Sequence, residues 1–144
     1  MSLGRPFAAL WSANALSNLS DGLAFVTMPL LAASLTDDPR LIAGLATLYA
    51  LVRLLVVLPV GVYVDRFDRR SLIVTANMLR GLAVLGLAVS VQFGAASLIA
   101  LYAVMAVVAT LESFADHAAV AMLPSLVRRA QFDKANARVA SAQL

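Results

Sequence analysis

The sequence predicts an all-α integral membrane protein, an antiparallel bundle of four transmembrane helices followed by the start of a fifth. Three observations predict it. Hydrophobic residues make up 62% of the 144 residues and charged residues only 13%, against roughly half and a quarter in a soluble domain. The apolar residues gather into four long stretches, each reaching the roughly 20 residues that a helix needs to cross a bilayer. The breaks between them, TDDPR, DRFDRR and GAAS, are short enough that successive helices run antiparallel beside one another.

The first span covers about residues 7–35 and follows the segment MSLGRPFAALW. That segment lacks the short apolar core and small-residue cleavage site of a signal peptide, so it is expected to be a cytoplasmic lead-in. The second span covers about 41–64, the third about 72–93 and the fourth about 97–124. Pro29 and Pro59 fall inside spans, where neighbouring helices can satisfy the carbonyls that proline frees. After Pro124 comes the polar stretch SLVRRAQFDKANAR, and a fifth helix is expected to begin at about 136–144. It has no glycine cap and no proline stop. Residues 1–144 are therefore expected to be the N-terminal fragment of a longer protein.

Cations orient the bundle. Arg5, the second break (Arg66, Arg69, Arg70) and the tail (Arg128, Arg129, Lys134, Arg138) hold eight of them, while the other side holds Arg40 beside Asp37 and Asp38. The positive-inside rule places the N-terminus, the second break and the tail in the cytoplasm. The expected location is the plasma (inner) membrane, crossed several times. A net charge of +3 is accounted for by this topology and carries no nucleic-acid footprint.

Charges inside the spans are harder to place. An ionisable group at the centre of a membrane helix costs about 2.5–3.5 kcal/mol on insertion scales and by default marks a solute or proton pathway. Asp21, Arg53, Arg80 and Glu112 all lie about 18–22 Å from the external ends of their spans, in one band of a hydrocarbon core about 30 Å thick. Two anions and two cations at one level can neutralise each other across the helices. In the first span Asn14, Ser17, Asn18 and Asp21 recur at helical spacing as a polar stripe. Tyr49 and Arg53 are four apart, as are Glu112 and Asp116, and Asn77 precedes Arg80 by three. The expected pathway is Asn14, Asn18, Asp21, Arg53 and Glu112. Structural ion pairs locking helix to helix are the competing reading, strongest for Arg80, whose long side chain can snorkel toward the cytoplasmic surface. His117 is expected to serve as an interfacial hydrogen-bonding group.

The second break reads GVYVDRFDRR from Gly61 to Arg70. It resembles the signature that the major facilitator superfamily carries between its second and third helices, G-x-x-x-D-[RK]-x-G-[RK]-[RK]. Gly61, Asp65, Arg66, Arg69 and Arg70 fall in register, and Asp68 stands where the pattern has glycine. Glycine there would serve a turn with positive φ, which Asp tolerates better than most residues. The form DRFDRR is similar to the branch that includes enterobactin exporters and macrolide-efflux-like proteins, as are LSNLSDGLAFVTMPLL, LYALVRLLVVLPVG and MLPSLVRRAQFDKANA. The resemblance spans nearly the whole chain.

The resemblance implies the first part of a six-helix half of a twelve-helix transporter, with the solute bound between two halves near the midplane. It implies proton-coupled efflux of a small organic molecule, drug or siderophore. The partners implied are the lipid bilayer, the solute, a coupling proton and the missing C-terminal helices of the parent transporter. In the loop, Asp65 can cap a facing helix N-terminus and the arginines can grip carboxylates. Together they would form a breakable cytoplasmic latch, with Asp116 as the candidate partner of Arg69 or Arg70. The fourth span lacks the arginine that proton-coupled drug antiporters of the superfamily often carry, so Glu112 or Asp21 is the expected proton carrier.

Two readings outside this family stay open. One is a self-sufficient four-helix membrane protein working as a dimer, like the small multidrug transporters; the other is a non-transporting membrane subunit. An enzyme is not expected, since no metal-ligand cluster, nucleophile elbow or phosphate loop is present. No cofactor and no metal are expected, and with no cysteine there is neither a disulfide nor a thiolate site.

Overall fold

The computed structural model describes the backbone of residues 5–142 and the side chains of residues 9–124 apart from 10, 11, 14 and 123. The described residues form four α-helices and no strand: α1 (Arg5–Leu35), α2 (Pro39–Val64), α3 (Arg69–Gln92) and α4 (Leu98–Ala142). Each is long and apolar enough to cross a membrane, over Ala15–Leu35, Pro39–Val64, Arg69–Gln92 and Leu98–Met122. Pro29 and Pro59 sit inside unbroken helices.

Local chemistry sets the ends. Asp38 caps α2, its Oδ1 accepting from the Arg40 N–H at 2.9 Å, and Pro39 takes the first helical position, where its missing N–H costs nothing. Asp68 caps α3 in the same way, accepting from the Ser71 N–H at 3.1 Å. Its φ is −62°, so the positive φ expected at the signature's glycine position does not occur. The position is a helix N-cap, where Asp and Gly are both favoured. The Ser71 amide bonded to it holds the Asp68 carboxyl below its ordinary range.

α3 ends in a Schellman turn. Gly94, at φ +67°, is the one described residue with positive φ. Its N–H donates to Val91 O at 3.1 Å and the Ala95 N–H to Ser90 O at 2.8 Å, the pair of bonds that defines this cap. Ser97 then opens α4, its Oγ accepting from the Ala100 N–H at 3.2 Å.

Beyond Pro124 the fold differs from the sequence expectation. No polar break precedes a fifth helix at 136; α4 runs without interruption for 45 residues, from Leu98 to Ala142. Pro124 removes one hydrogen bond from the ladder. The segment after it, rich in Ala and Arg, consists mostly of good helix formers, and no glycine offers a cap.

α4 is the central element, packed against α3 and α2, while α1 rests on α2 and more lightly on α4. Small side chains allow the close approach: Ala109, Ser113 and Ala118 of α4 are fully buried, as expected where membrane helices meet backbone to backbone. Near one end of the bundle an apolar cluster joins Met28, Ala32, Leu45, Leu87, Leu101 and Met105. Near the other, Val60, Val64 and Ala118 form a second cluster with Leu72, Ile73 and Phe114 beside it. Leu54, Leu58, Leu82 and Ile99 face outward, which suits contact with lipid tails. The charged side chains lie between the two clusters.

Candidate functional site

Helical spacing builds the site. Tyr49 and Arg53 project from one face of α2, and Glu112 and Asp116 from one face of α4, because residues four apart share a face. The two faces meet. Arg53 Nη1 donates to Glu112 Oε1 at 3.0 Å and to the Tyr49 hydroxyl at 2.9 Å, while Nη2 donates to Asp116 Oδ2 at 2.7 Å. The Tyr49 hydroxyl donates to Glu112 Oε2 at 2.5 Å. Both Glu112 oxygens therefore accept a bond, and the residue is only 8% exposed. The Arg53 guanidinium also lies 5.6 Å from the Tyr49 ring centroid, within range of a cation–π contact. Asp116 has the opposite character, with half of its side chain (52%) exposed.

A second set joins α3 to α1. Arg80 Nη1 lies 2.9 Å from Asp21 Oδ1, and Nη2 donates to Ser17 Oγ at 2.8 Å. The Arg80 side chain is 11% exposed. It does not snorkel to the surface, because a carboxylate and a hydroxyl on α1 meet it at its own level. Beside this pair is a cleft of about 170 Å³ between α1, α3 and α4, lined on its polar side by Ser20, Asp21, Asn77 and Arg80. Asn77 Oδ1 is buried without a hydrogen-bond partner among the described residues.

Of the expected pathway residues, Arg53 and Glu112 come together directly, and Asp21 pairs with Arg80. Asn18 lies exposed on α1, and the Asn14 side chain falls outside the described residues. His117 Nδ1 donates to Ser113 O at 2.6 Å, a bond that fixes the Nδ1–H tautomer because a carbonyl only accepts.

The expected latch partner is corrected. Asp116 bonds to Arg53, since it stands one turn from Glu112 and the guanidinium fork spans both acids. Arg69 reaches α4 further along, where Nη1 donates to Ala121 O at 2.6 Å. That carbonyl neighbours Val120 O, which Pro124 leaves without its helical donor. Tyr63 places the loop against α4, its ring 6.4 Å from Phe67 and 6.3 Å from Phe114. Gly61, Asp65, Arg66 and Arg70 are exposed. Arg66 and Arg70 form no ion pair among the described residues.

Sequence reasoning missed the cleft and the Ala121 carbonyl. A main-chain acceptor leaves no mark in a sequence. Gly81, Val84 and Val108 of the cleft read as ordinary apolar positions.

A family model described as Major Facilitator Superfamily matches residues 10–144. No curated protein matches the chain. No solved structure matches it. With four membrane-spanning helices and a match that covers nearly all of its length, the chain belongs to the Major Facilitator Superfamily of membrane transporters.

Proposed function

We propose that the chain is the N-terminal part of a secondary active transporter that expels a small organic molecule, drug or siderophore in exchange for protons. The observation that carries this reading is Glu112. A carboxylate in the middle of a membrane helix, held at both oxygens by Arg53 and Tyr49, is costly to keep there. In this reading Glu112 takes up the coupling proton and releases Arg53 when it does so. Asn14, Asn18, Asp21 and Arg53 continue the route past it.

In the same reading the N-terminus faces the cytoplasm of the plasma membrane, as the eight cations on that side favour. Gly61, Asp65, Arg66, Arg69 and Arg70 form a cytoplasmic latch. The Arg69 bond to Ala121 O supports that role, because one guanidinium bond to a carbonyl can break as the helices rock. The four spans work with further helices of a parent transporter, which complete this half and supply the second. The loop form DRFDRR favours the enterobactin-exporter and macrolide-efflux-like branch.

The test uses full-length protein in liposomes carrying a pH gradient. Glu112→Gln and Asp21→Asn should each lower gradient-driven export at least tenfold, with Glu112→Gln the more severe. Export that keeps its full dependence on the gradient in both variants would remove the proposed coupling.

A further inference from the structure

In the polar layer between the two apolar clusters, Arg53 is held by two carboxylates where one would neutralise it. Nη1 donates to Glu112 Oε1 at 3.0 Å and Nη2 to Asp116 Oδ2 at 2.7 Å. The two acids have different surroundings. Glu112 is buried and both its oxygens accept a bond, whereas half of the Asp116 side chain is exposed. With both acids ionised, one negative charge is left unmatched at Arg53. A proton on Glu112 removes that excess and leaves Arg53 paired with Asp116 alone.

The other charged or titratable side chains of the layer are engaged elsewhere. Asp21 of α1 and Arg80 of α3 pair with each other at 2.9 Å. Arg69 of α3 donates to Ala121 O, and His117 Nδ1 to Ser113 O. Tyr49 of α2 touches Glu112 directly and suits both of its states. Its hydroxyl donates to the carboxylate, and a hydroxyl can equally accept from a carboxylic acid. Asp116 then decides what the proton costs. Without it, protonating Glu112 would strand a guanidinium whose side chain is only 34% exposed, and a cation stripped of its partner in such a place is costly.

We propose that Asp116 is the positioning residue for proton uptake at Glu112: it keeps the Arg53 guanidinium paired when Glu112 becomes neutral. The proton passes from water to a Glu112 oxygen. The bond from Arg53 Nη1 to Oε1 gives way, and the bond from Nη2 to Asp116 Oδ2 stays. The proposal rests on the coupling role given to Glu112 above and names the group that regulates it.

The test follows protonation of Glu112 against pH by infrared difference spectroscopy of the full-length protein in liposomes. The proton is the only ligand added. The carboxylic-acid C=O band of Glu112 is identified by its loss in Glu112→Gln. Asp116→Asn and Asp116→Ser both remove the charge at a half-exposed position, and each should move the midpoint of this band down by about one unit or more. Asp116→Glu should keep the wild-type midpoint. Tyr49→Phe takes a donor from the ionised carboxylate and should move the midpoint up by about half a unit. Shifts of opposite sign are not what loosened packing produces. A midpoint unmoved in both neutral variants, a shift in Asp116→Glu equal to theirs, or no Glu112 band at any pH would each overturn the role of Asp116. An unmoved midpoint beside loss of gradient-driven export in Glu112→Gln would leave the coupling reading standing. The expected shifts beside full gradient dependence in Glu112→Gln would remove the coupling reading and leave Asp116 in control of the proton on Glu112.

Discussion

Arg53 and Arg80 sit on consecutive helices at similar depth, and the bundle holds them in different ways. Arg53 bridges α2 to α4 through two carboxylates and a phenol, between helices that already pack closely. Arg80 bridges α3 to α1 through one carboxylate and one hydroxyl, beside a cleft. Among the described residues α1 buries only Met28 and Ala32, whereas α4 buries seven residues from Leu101 to Ala118. The difference separates a stable unit, α2 and α3 packed on α4, from a helix that rests on it more lightly and is tied to α3 by a polar clasp. A transporter needs both: a frame that keeps its shape and an element whose attachment can change.

The largest effect should follow from breaking the tighter set. Glu112→Ala leaves Arg53 and Tyr49 facing a hole. Removing one partner of a buried pair costs about 3–5 kcal/mol; Arg53 is a third exposed and keeps Asp116, which brings the expected loss to about 2–3 kcal/mol. Thermal unfolding of the purified protein would register it. The double variant Arg53→Met with Glu112→Leu should recover most of that stability, since an apolar pair of similar volume replaces a buried ion pair at little cost. Transport should stay lost. Recovery of transport along with stability would make the network architectural.

Cutting the looser set should cost less and act locally. Arg80→Leu removes one ion pair and one hydrogen bond, about 1–2 kcal/mol in all. Hydrogen exchange should rise along α1 and stay unchanged in α2 to α4. Uniform acceleration across the four helices would contradict the division into frame and clasp.

A smaller effect tests the frame itself. Gly44 lies against the Tyr102 hydroxyl, which donates to Leu41 O, and a Cβ at position 44 would collide with it. Gly44→Ala should displace the tyrosine and cost about 1 kcal/mol, and adding Tyr102→Phe should relieve the collision. A double variant no better than Gly44→Ala would place the strain elsewhere.

The smallest effect lies outside the spans. The Ser71 amide holds Asp68 below its ordinary range. Its contribution to the start of α3 is therefore complete above that range, from about pH 4 upward, and is lost as pH falls through the lowered value. Exchange protection of the Ser71 amide should fall only in that acid window. With Asp68→Asn, which keeps an acceptor but does not titrate, the acid step should disappear.

Much of this contrast was legible from sequence. Four apolar stretches gave the helices, and equal depths with four-residue spacing on α2 and α4 brought Arg53 to Glu112. The choice of partners was not legible. Two arginines and three acids at neighbouring levels allow several pairings, and helix rotation decides among them. Rotation gave Asp116 to Arg53 and left Arg69 with a carbonyl. Nor could the continuation of α4 past Pro124 be read from a polar composition that suits a helix end or a helix interior equally well. Asp68 shows how a family pattern misleads about backbone: glycine serves left-handed turns and N-caps alike, and only the structure distinguishes them.

The cleft between α1, α3 and α4 should open the polar layer to water. This chain contains no cysteine, so single-cysteine labelling reads out one position at a time. In the full-length protein, Ser20→Cys at the cleft should react with a membrane-impermeant thiol reagent, while Leu87→Cys in the apolar cluster should not. A cleft cysteine as inert as the one at Leu87 would contradict the account and leave the charges as fasteners between helices.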